Sequence, residues 1–262
     1  MRSTLFRIGP LPIRGYGLMV AIAFLVAVYV AARRAKKEGV PPQAIFDLSL
    51  YILISALLGA RVFYILQHRD SYSSFVDVLR IWQGGLVYYG GFALALVVAV
   101  LYLRWKKLPI GKVADVLGPS LVLGMSIGRI GCFLAGCCFG KPTSLPWGVT
   151  FPEDSLAWME IGSQKIHPTQ LYSVVSLFSI FIILLILRRH MKFSGQLFLF
   201  SVLMYSVYRF LIDFVRYYTP DARIGSLATS QVISIGTGTI AFAVMIVITV
   251  QRVLHTIPAS AR

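Results

Sequence analysis

Seven apolar stretches of about twenty residues recur along this chain, near 15–32, 44–66, 85–104, 114–137, 168–187, 195–214 and 229–250. They constrain the fold more than any motif does. A bilayer core offers no water to pair with backbone N–H and C=O groups, so such stretches cross it as helices. Composition agrees: 57% of the 262 residues are hydrophobic and 13% charged, with a mean hydropathy of +0.77. That is too apolar for a soluble domain of this length. The expected fold is all-α: one polytopic integral-membrane domain over residues 1–262 with about seven transmembrane helices.

The formal charge of +15 invites a nucleic-acid reading, but the placement of the charges argues against it. Basic residues gather after alternate spans. Arg33, Arg34, Lys36 and Lys37 follow the first, and Arg104, Lys106, Lys107 and Lys112 the third. Arg188, Arg189 and Lys192 follow the fifth, and Arg252 and Arg262 the seventh. By the positive-inside rule these segments are cytoplasmic, which puts the N-terminus outside and the C-terminus inside. The high charge is thus largely a topology signal, and no nucleic-acid partner is expected. The first apolar run ends in Ala32-Arg33-Arg34-Ala35-Lys36-Lys37 without a small-residue cleavage site, so it reads as a span rather than a signal peptide. Residues 138–167 are left as an extracytoplasmic loop.

Two spans carry charges that a bilayer penalises. Arg129 sits inside Gly124–Gly140, where a central arginine costs roughly 2.5–3.5 kcal/mol on insertion scales. Gly124, Gly128, Cys132, Gly136 and Gly140 recur at every fourth position there. On a continuous helix they share one face that a neighbouring helix or a lipid can approach closely. In the sixth span Tyr205, Arg209 and Asp213 follow at four-residue spacing, with Arg216 three residues on. They form one polar stripe, and an Arg209–Asp213 pair can neutralise itself. Arg129, Arg216 and Arg61 still outnumber the intramembrane carboxylates, and a bound anion closes that gap. Phosphate suits best, because a planar guanidinium binds it through two parallel hydrogen bonds.

Other polar or flexible segments are expected at the same outer face: Arg14–Met19, Gly84–Gly91 and His167–Tyr172. The paired glycines at 84–85 and 90–91 imply close backbone approach. His167 is open to three readings: ligand, base or interfacial histidine. Cys132, Cys137 and Cys138 match no usual zinc spacing, and as small apolar residues they suit helix packing. Neither a metal nor a cofactor is expected.

In this setting the chain resembles the prolipoprotein diacylglyceryl transferases of bacterial inner membranes. Six blocks carry the resemblance in order: Tyr-Gly-Leu-Met at 16–19, Gly-Ala-Arg at 59–61, and Gly-Gly-x-x-x-Tyr-Gly-Gly at 84–91, then Gly-Arg-Ile-Gly-x-Phe at 128–133, His-Pro-Thr-Gln-Leu-Tyr at 167–172, and Tyr-x-x-x-Arg-x-x-x-Asp-Phe-x-Arg at 205–216. The resemblance implies transfer of diacylglycerol from phosphatidylglycerol to the lipobox cysteine of a prolipoprotein signal peptide. A thioether forms and glycerol phosphate leaves. It also implies a multi-pass protein of the bacterial inner (cytoplasmic) membrane. Catalysis is expected from Arg129, Arg209, Tyr89 and Asp213. Phosphatidylglycerol is expected to meet Tyr16, Gly128, Arg129, Gly140, His167, Tyr205 and Arg216.

The chain departs from the family pattern at Tyr89, Cys132, Cys137 and Asp213, where His, Asn, Glu and Glu are common. A tyrosine near its ordinary pKa of about 10 is a poor base at neutral pH. Either another group, such as Asp213 through water, takes the thiol proton, or the thiol arrives partly ionised beside the arginines. None of the three cysteines is expected to be a covalent nucleophile, since the adduct would be a thioether that does not break down. The competing expectation is a diverged paralogue that binds anionic phospholipid as a non-enzymatic scaffold or a transporter. A transporter should show broken helices or internal symmetry, and the sequence has neither.

Overall fold

The computed structural model describes residues 4–8, 11–69 and 85–256. A short antiparallel hairpin, β1 (Thr4–Ile8) and β2 (Leu11–Arg14), leads directly into the first helix. Among the described residues seven long helices follow, one at each apolar stretch. They are α1 (Gly15–Lys37), α2 (Pro42–Gln67), α3 (Tyr88–Trp105), α4 (Ile110–Ala135), α6 (Thr169–Leu187), α7 (Gln196–Ile212) and α8 (Thr229–Thr256). One short helix, α5 (Leu156–Ile161), lies in the 138–167 segment. A two-residue ladder, β3 (Arg223–Ile224) with β4 (Leu227–Ala228), precedes α8. Among the described residues six helices are long and apolar enough to cross a membrane. Helix α7, with 17 residues, reaches only about 25 Å. The fold is an all-α polytopic membrane protein.

The chain divides into two compact units, Val30–Val113 and Met1–Tyr29 with Ala114–Arg262. In the first, α2 and α3 cross with almost no side chain between them. A β-carbon on Gly59 would stand 2.5 Å from the Gly90 carbonyl oxygen, and one on Gly91 would stand 2.7 Å from that of Ala56. The paired glycines at 90–91 therefore serve this crossing, while Gly84 lies outside the described residues. Arg61, buried in the same unit, donates from Nη1 to the Gly85 carbonyl at 3.3 Å.

The second unit is also joined through small residues. Gly118 of α4 meets Ser201 of α7, Gly124 meets Ala27 of α1, and Gly238 of α8 meets Ser206 of α7. Ser126 Oγ donates to the Val174 carbonyl of α6 at 2.9 Å. Close approach at small residues is how helices associate without a hydrophobic drive between them. The start of α7 is capped from another helix. The Asp115 carboxylate accepts from the backbone N–H groups of Gly195 (2.6 Å) and Phe198 (2.9 Å), placing negative charge at a positive helix end.

Candidate active site at the converging helix ends

In the second unit the start of α1, the end of α4, the start of α6, the end of α7 and the start of α8 meet at one level. Residues 139–141 stitch this level together. The N–H of Tyr217 donates to the Phe139 carbonyl (3.1 Å) and that of Lys141 to Val215 (2.9 Å), while those of Gly140 and His167 donate to the carbonyls of His167 (3.2 Å) and Lys141 (3.0 Å). Phe139, Phe151, Ala157 and Ile166 bury a small core beneath the 138–167 segment, so this segment is a packed cap on the helix ends.

Arg209 belongs to a polar network at the end of α7. Its Nη2 donates to the Tyr218 hydroxyl at 2.8 Å, and that hydroxyl donates to Asp213 Oδ1, also at 2.8 Å. Ser230 of α8 donates to Asp213 Oδ2. Nη1 of Arg209 stands 3.1 Å from Asp213 Oδ1. The Asp213 side chain is fully buried and both its oxygens are engaged. Burial pushes the Tyr218 phenol above its ordinary pKa, which keeps the proton that makes it a donor. The expected Arg209–Asp213 pair is present, and it is extended by Tyr218 and Ser230.

Arg129 is placed differently. It is half-buried near the end of α4, and no hydrogen bond or ion pair to another described residue engages its guanidinium. Its electrostatic neighbours are Tyr208 and Tyr205 of α7 together with Cys138 and Cys132. Tyr208, almost buried, lies within the field of both Arg129 and Arg209. Beside it opens an apolar groove of about 680 Å³ between α6 and α7, lined by Ser176, Ile180, Phe200, Val207, Tyr208 and Ile212, among others. A β-carbon on Gly128 would meet nothing within 4 Å, so the helix surface next to Arg129 is open. Arg216 makes no ion pair among the described residues either. Its guanidinium carbon lies 5.5 Å from the centre of the Tyr218 ring.

The small-residue face read from the sequence stops short of its expected length. Helix α4 ends at Ala135, because Gly136 turns left-handed at φ 66°. The Gly136 N–H returns to the Phe133 carbonyl (3.2 Å) and the Cys137 N–H to that of Cys132 (3.1 Å). This is a Schellman cap, which brings residue 137 back over residue 132. Gly136 and Gly140 therefore do not continue the helical face. Gly140 is instead the position where a β-carbon would collide with His167, 2.6 Å from its carbonyl oxygen. Cys138 also has a positive φ of 59°, a conformation costing a non-glycine residue about 1–2 kcal/mol. Two buried side chains of α6 hold it there. Thr169 Oγ1 donates to the Cys138 carbonyl (2.9 Å) and Gln170 Nε2 to that of Cys137 (2.8 Å).

Of the other expected site residues, Tyr16 packs its backbone on Gly131 and shares an electrostatic environment with Arg129 and the cysteines. The Tyr205 ring lies tilted against that of Tyr208, at 5.8 Å between ring centroids. His167 faces the Tyr172 hydroxyl at 3.4 Å, and that hydroxyl accepts from Trp147 Nε1 at 2.6 Å. Tyr89 is exposed and belongs to the Val30–Val113 unit, its ring 5.7 Å from that of Tyr88. Tyr208, Tyr218, Ser230 and the clamp pair Thr169 and Gln170 were not singled out from the sequence. Tyr208 was the legible one, since it directly precedes Arg209 in the polar stripe. The partners of Asp213 lie 5 and 17 residues away, across a turn that carries no motif.

Comparisons with known proteins follow the same line. The family model described as prolipoprotein diacylglyceryl transferase matches residues 3–248. A phosphatidylglycerol–prolipoprotein diacylglyceryl transferase of Clostridium tetani is 36% identical over 237 residues, covering 90% of this chain and 94% of the relative. Proteins of the same name from Synechococcus elongatus and Geobacter sulfurreducens are 34% and 33% identical. They cover 97% and 85% of this chain, and 89% and 84% of the relatives.

Proposed function

This chain belongs to the prolipoprotein diacylglyceryl transferase family, and from that premise we propose that it moves diacylglycerol from phosphatidylglycerol to the lipobox cysteine of a prolipoprotein. One observation carries the reading: a half-buried arginine in a membrane helix, Arg129, without an ionic partner among the described residues, whose electrostatic neighbour Tyr208 lines an apolar groove between two helices. A phosphate needs the first and acyl chains need the second.

In this reading Arg129 clamps the lipid phosphate with its planar fork, and Arg216, just past the end of α7, adds positive charge. The substrate thiol attacks the glyceryl carbon, a C–S bond forms, and the C–O bond to phosphate breaks. The thiol proton is released, and the new negative charge rests on departing glycerol phosphate. Preoriented guanidinium donors in a water-poor site stabilise that charge as it develops. Arg209 acts from its fixed network. Asp213, with both oxygens occupied, is better suited to holding Arg209 and Tyr218 in place than to taking the thiol proton. Tyr16, Gly128, Gly140, His167 and Tyr205 complete the lipid-binding set, with Tyr89 as a further catalytic candidate.

The same reading includes seven spans in the bacterial inner membrane, an outside N-terminus and a cytoplasmic C-terminus. Helices α4 and α7 run in the same direction (Gly118 meets Ser201, and Arg129 neighbours Tyr205), as alternation requires of the fourth and sixth spans. Reporter fusions after Lys112 and after Lys192 should both report cytoplasm, and an outside signal at either overturns the arrangement. The decisive functional test is complementation of a conditional bacterial strain depleted of its own transferase. Growth with restored lipoprotein modification is expected. Failure by a stably inserted protein would exclude the activity in favour of a phospholipid-binding scaffold or transporter.

A further inference from the structure

We propose that Cys132, Cys137 and Cys138 form a binding site for a soft, thiophilic metal ion, with three-coordinate Cu(I) as the best-fitting occupant. The first ground is geometry. The three sulfur atoms all lie within 4.8 Å of one another, and all three cysteines are free and half-buried. In a planar trithiolate with metal–sulfur bonds of about 2.3 Å, sulfurs stand about 4.0 Å apart. Side-chain rotation of less than 1 Å closes the difference.

Backbone architecture is the second ground. The Schellman cap sets Cys137 over Cys132, with Cys137 Sγ 3.7 Å from the Cys132 carbonyl oxygen. Positive φ at Cys138 then turns the third thiol back toward the first two. Thr169 and Gln170 anchor the two carbonyls in this loop, so the thiols are presented by a fixed frame. Adjacent cysteines on an extended segment would point apart, and here they do not.

The third ground is the choice of ion. Thiolates select soft ions such as Cu(I) and Zn(II). Structural zinc is almost always four-coordinate, yet among the described residues no histidine or carboxylate joins the three sulfurs. Three ligands with no fourth favour Cu(I). Charge agrees: three thiolates and Cu(I) total −2, and Arg216 and Arg129 are the cations that face Cys138. Metal binding expels the thiol protons.

The test uses the full-length protein, purified in detergent, reduced and kept anaerobic. It is titrated with Cu(I) against a chromophoric Cu(I) chelator. One Cu(I) per chain, a sulfur-to-copper charge-transfer band and three sulfur neighbours by X-ray absorption are expected. Cys132→Ser, Cys137→Ser and Cys138→Ser should each weaken binding by at least about 100-fold, more than the loss of an outer-shell partner. These single variants carry the comparison if the triple serine variant does not accumulate. No retained Cu(I), or affinity unchanged in the single variants, overturns the site. Displacement of Cu(I) by equimolar Zn(II) overturns the choice of ion.

Discussion

Arg209 and Arg129 occupy neighbouring helices of one unit and have opposite surroundings. Arg209 is paired: its Nη2, a carboxylate and two hydroxyls are linked across the α7–α8 junction. Arg129 faces two tyrosines, two cysteines and an open helix surface at Gly128. Burying an unpaired charge is costly, so a chain that pairs one arginine and leaves the other open divides the labour. The first arginine fixes structure around the site. In the proposed reading the second keeps its hydrogen-bonding capacity for an anion that arrives from outside the chain.

The contrast breaks first at the paired end. Asp213→Ala leaves Arg209 buried without its carboxylate and strips Tyr218 and Ser230 of their acceptor. A loss of about 3–5 kcal/mol is expected, read as a lower thermal midpoint in detergent and poor accumulation. An unchanged midpoint would mean that the network is decoration. Arg129→Lys should do the reverse: normal accumulation with transferase activity down about 10²–10³-fold, because lysine keeps the charge and loses the planar fork. Near-normal lipidation by that variant sinks the bidentate clamp and leaves the fold untouched.

Smaller changes sharpen the division. Arg209→Lys should lower both quantities, with hydrogen bonds from a charged group worth about 1.5–3 kcal/mol in the midpoint and a large fall in activity. Activity loss without any stability loss would place Arg209 in the open class with Arg129. Tyr218→Phe removes one link of the network and should cost about 1–1.5 kcal/mol in thermal stability. The smallest expected effect is Gly128→Ala. Nothing stands within 4 Å of the new methyl, and alanine favours helix by about 0.8–1.0 kcal/mol. Stability should rise slightly while the apparent affinity for phosphatidylglycerol falls; unchanged affinity would show that the lipid does not use that surface.

Much of this protein was written in local pattern. Membrane helices satisfy their backbone internally, so each apolar stretch declares itself without reference to its neighbours; helices stand at the expected stretches, six of them, among the described residues, long and apolar enough to cross a membrane. Charges that a bilayer penalises are equally legible one at a time, which is why Arg129, Arg209 and Asp213 stand out by their places in apolar spans. What stayed hidden was pairing. No spacing rule says that Asp213 meets Ser230 of α8, that Thr169 and Gln170 of α6 hold the carbonyls of Cys138 and Cys137, or that one glycine ends α4 and folds three thiols together. Gly136 and Gly140 continued a helical period on paper, yet a positive φ ended the helix before either. Periodicity records what each residue does within its own helix. Which arginine is neutralised and which is left open depends on distances between helices, and only the tertiary structure sets those.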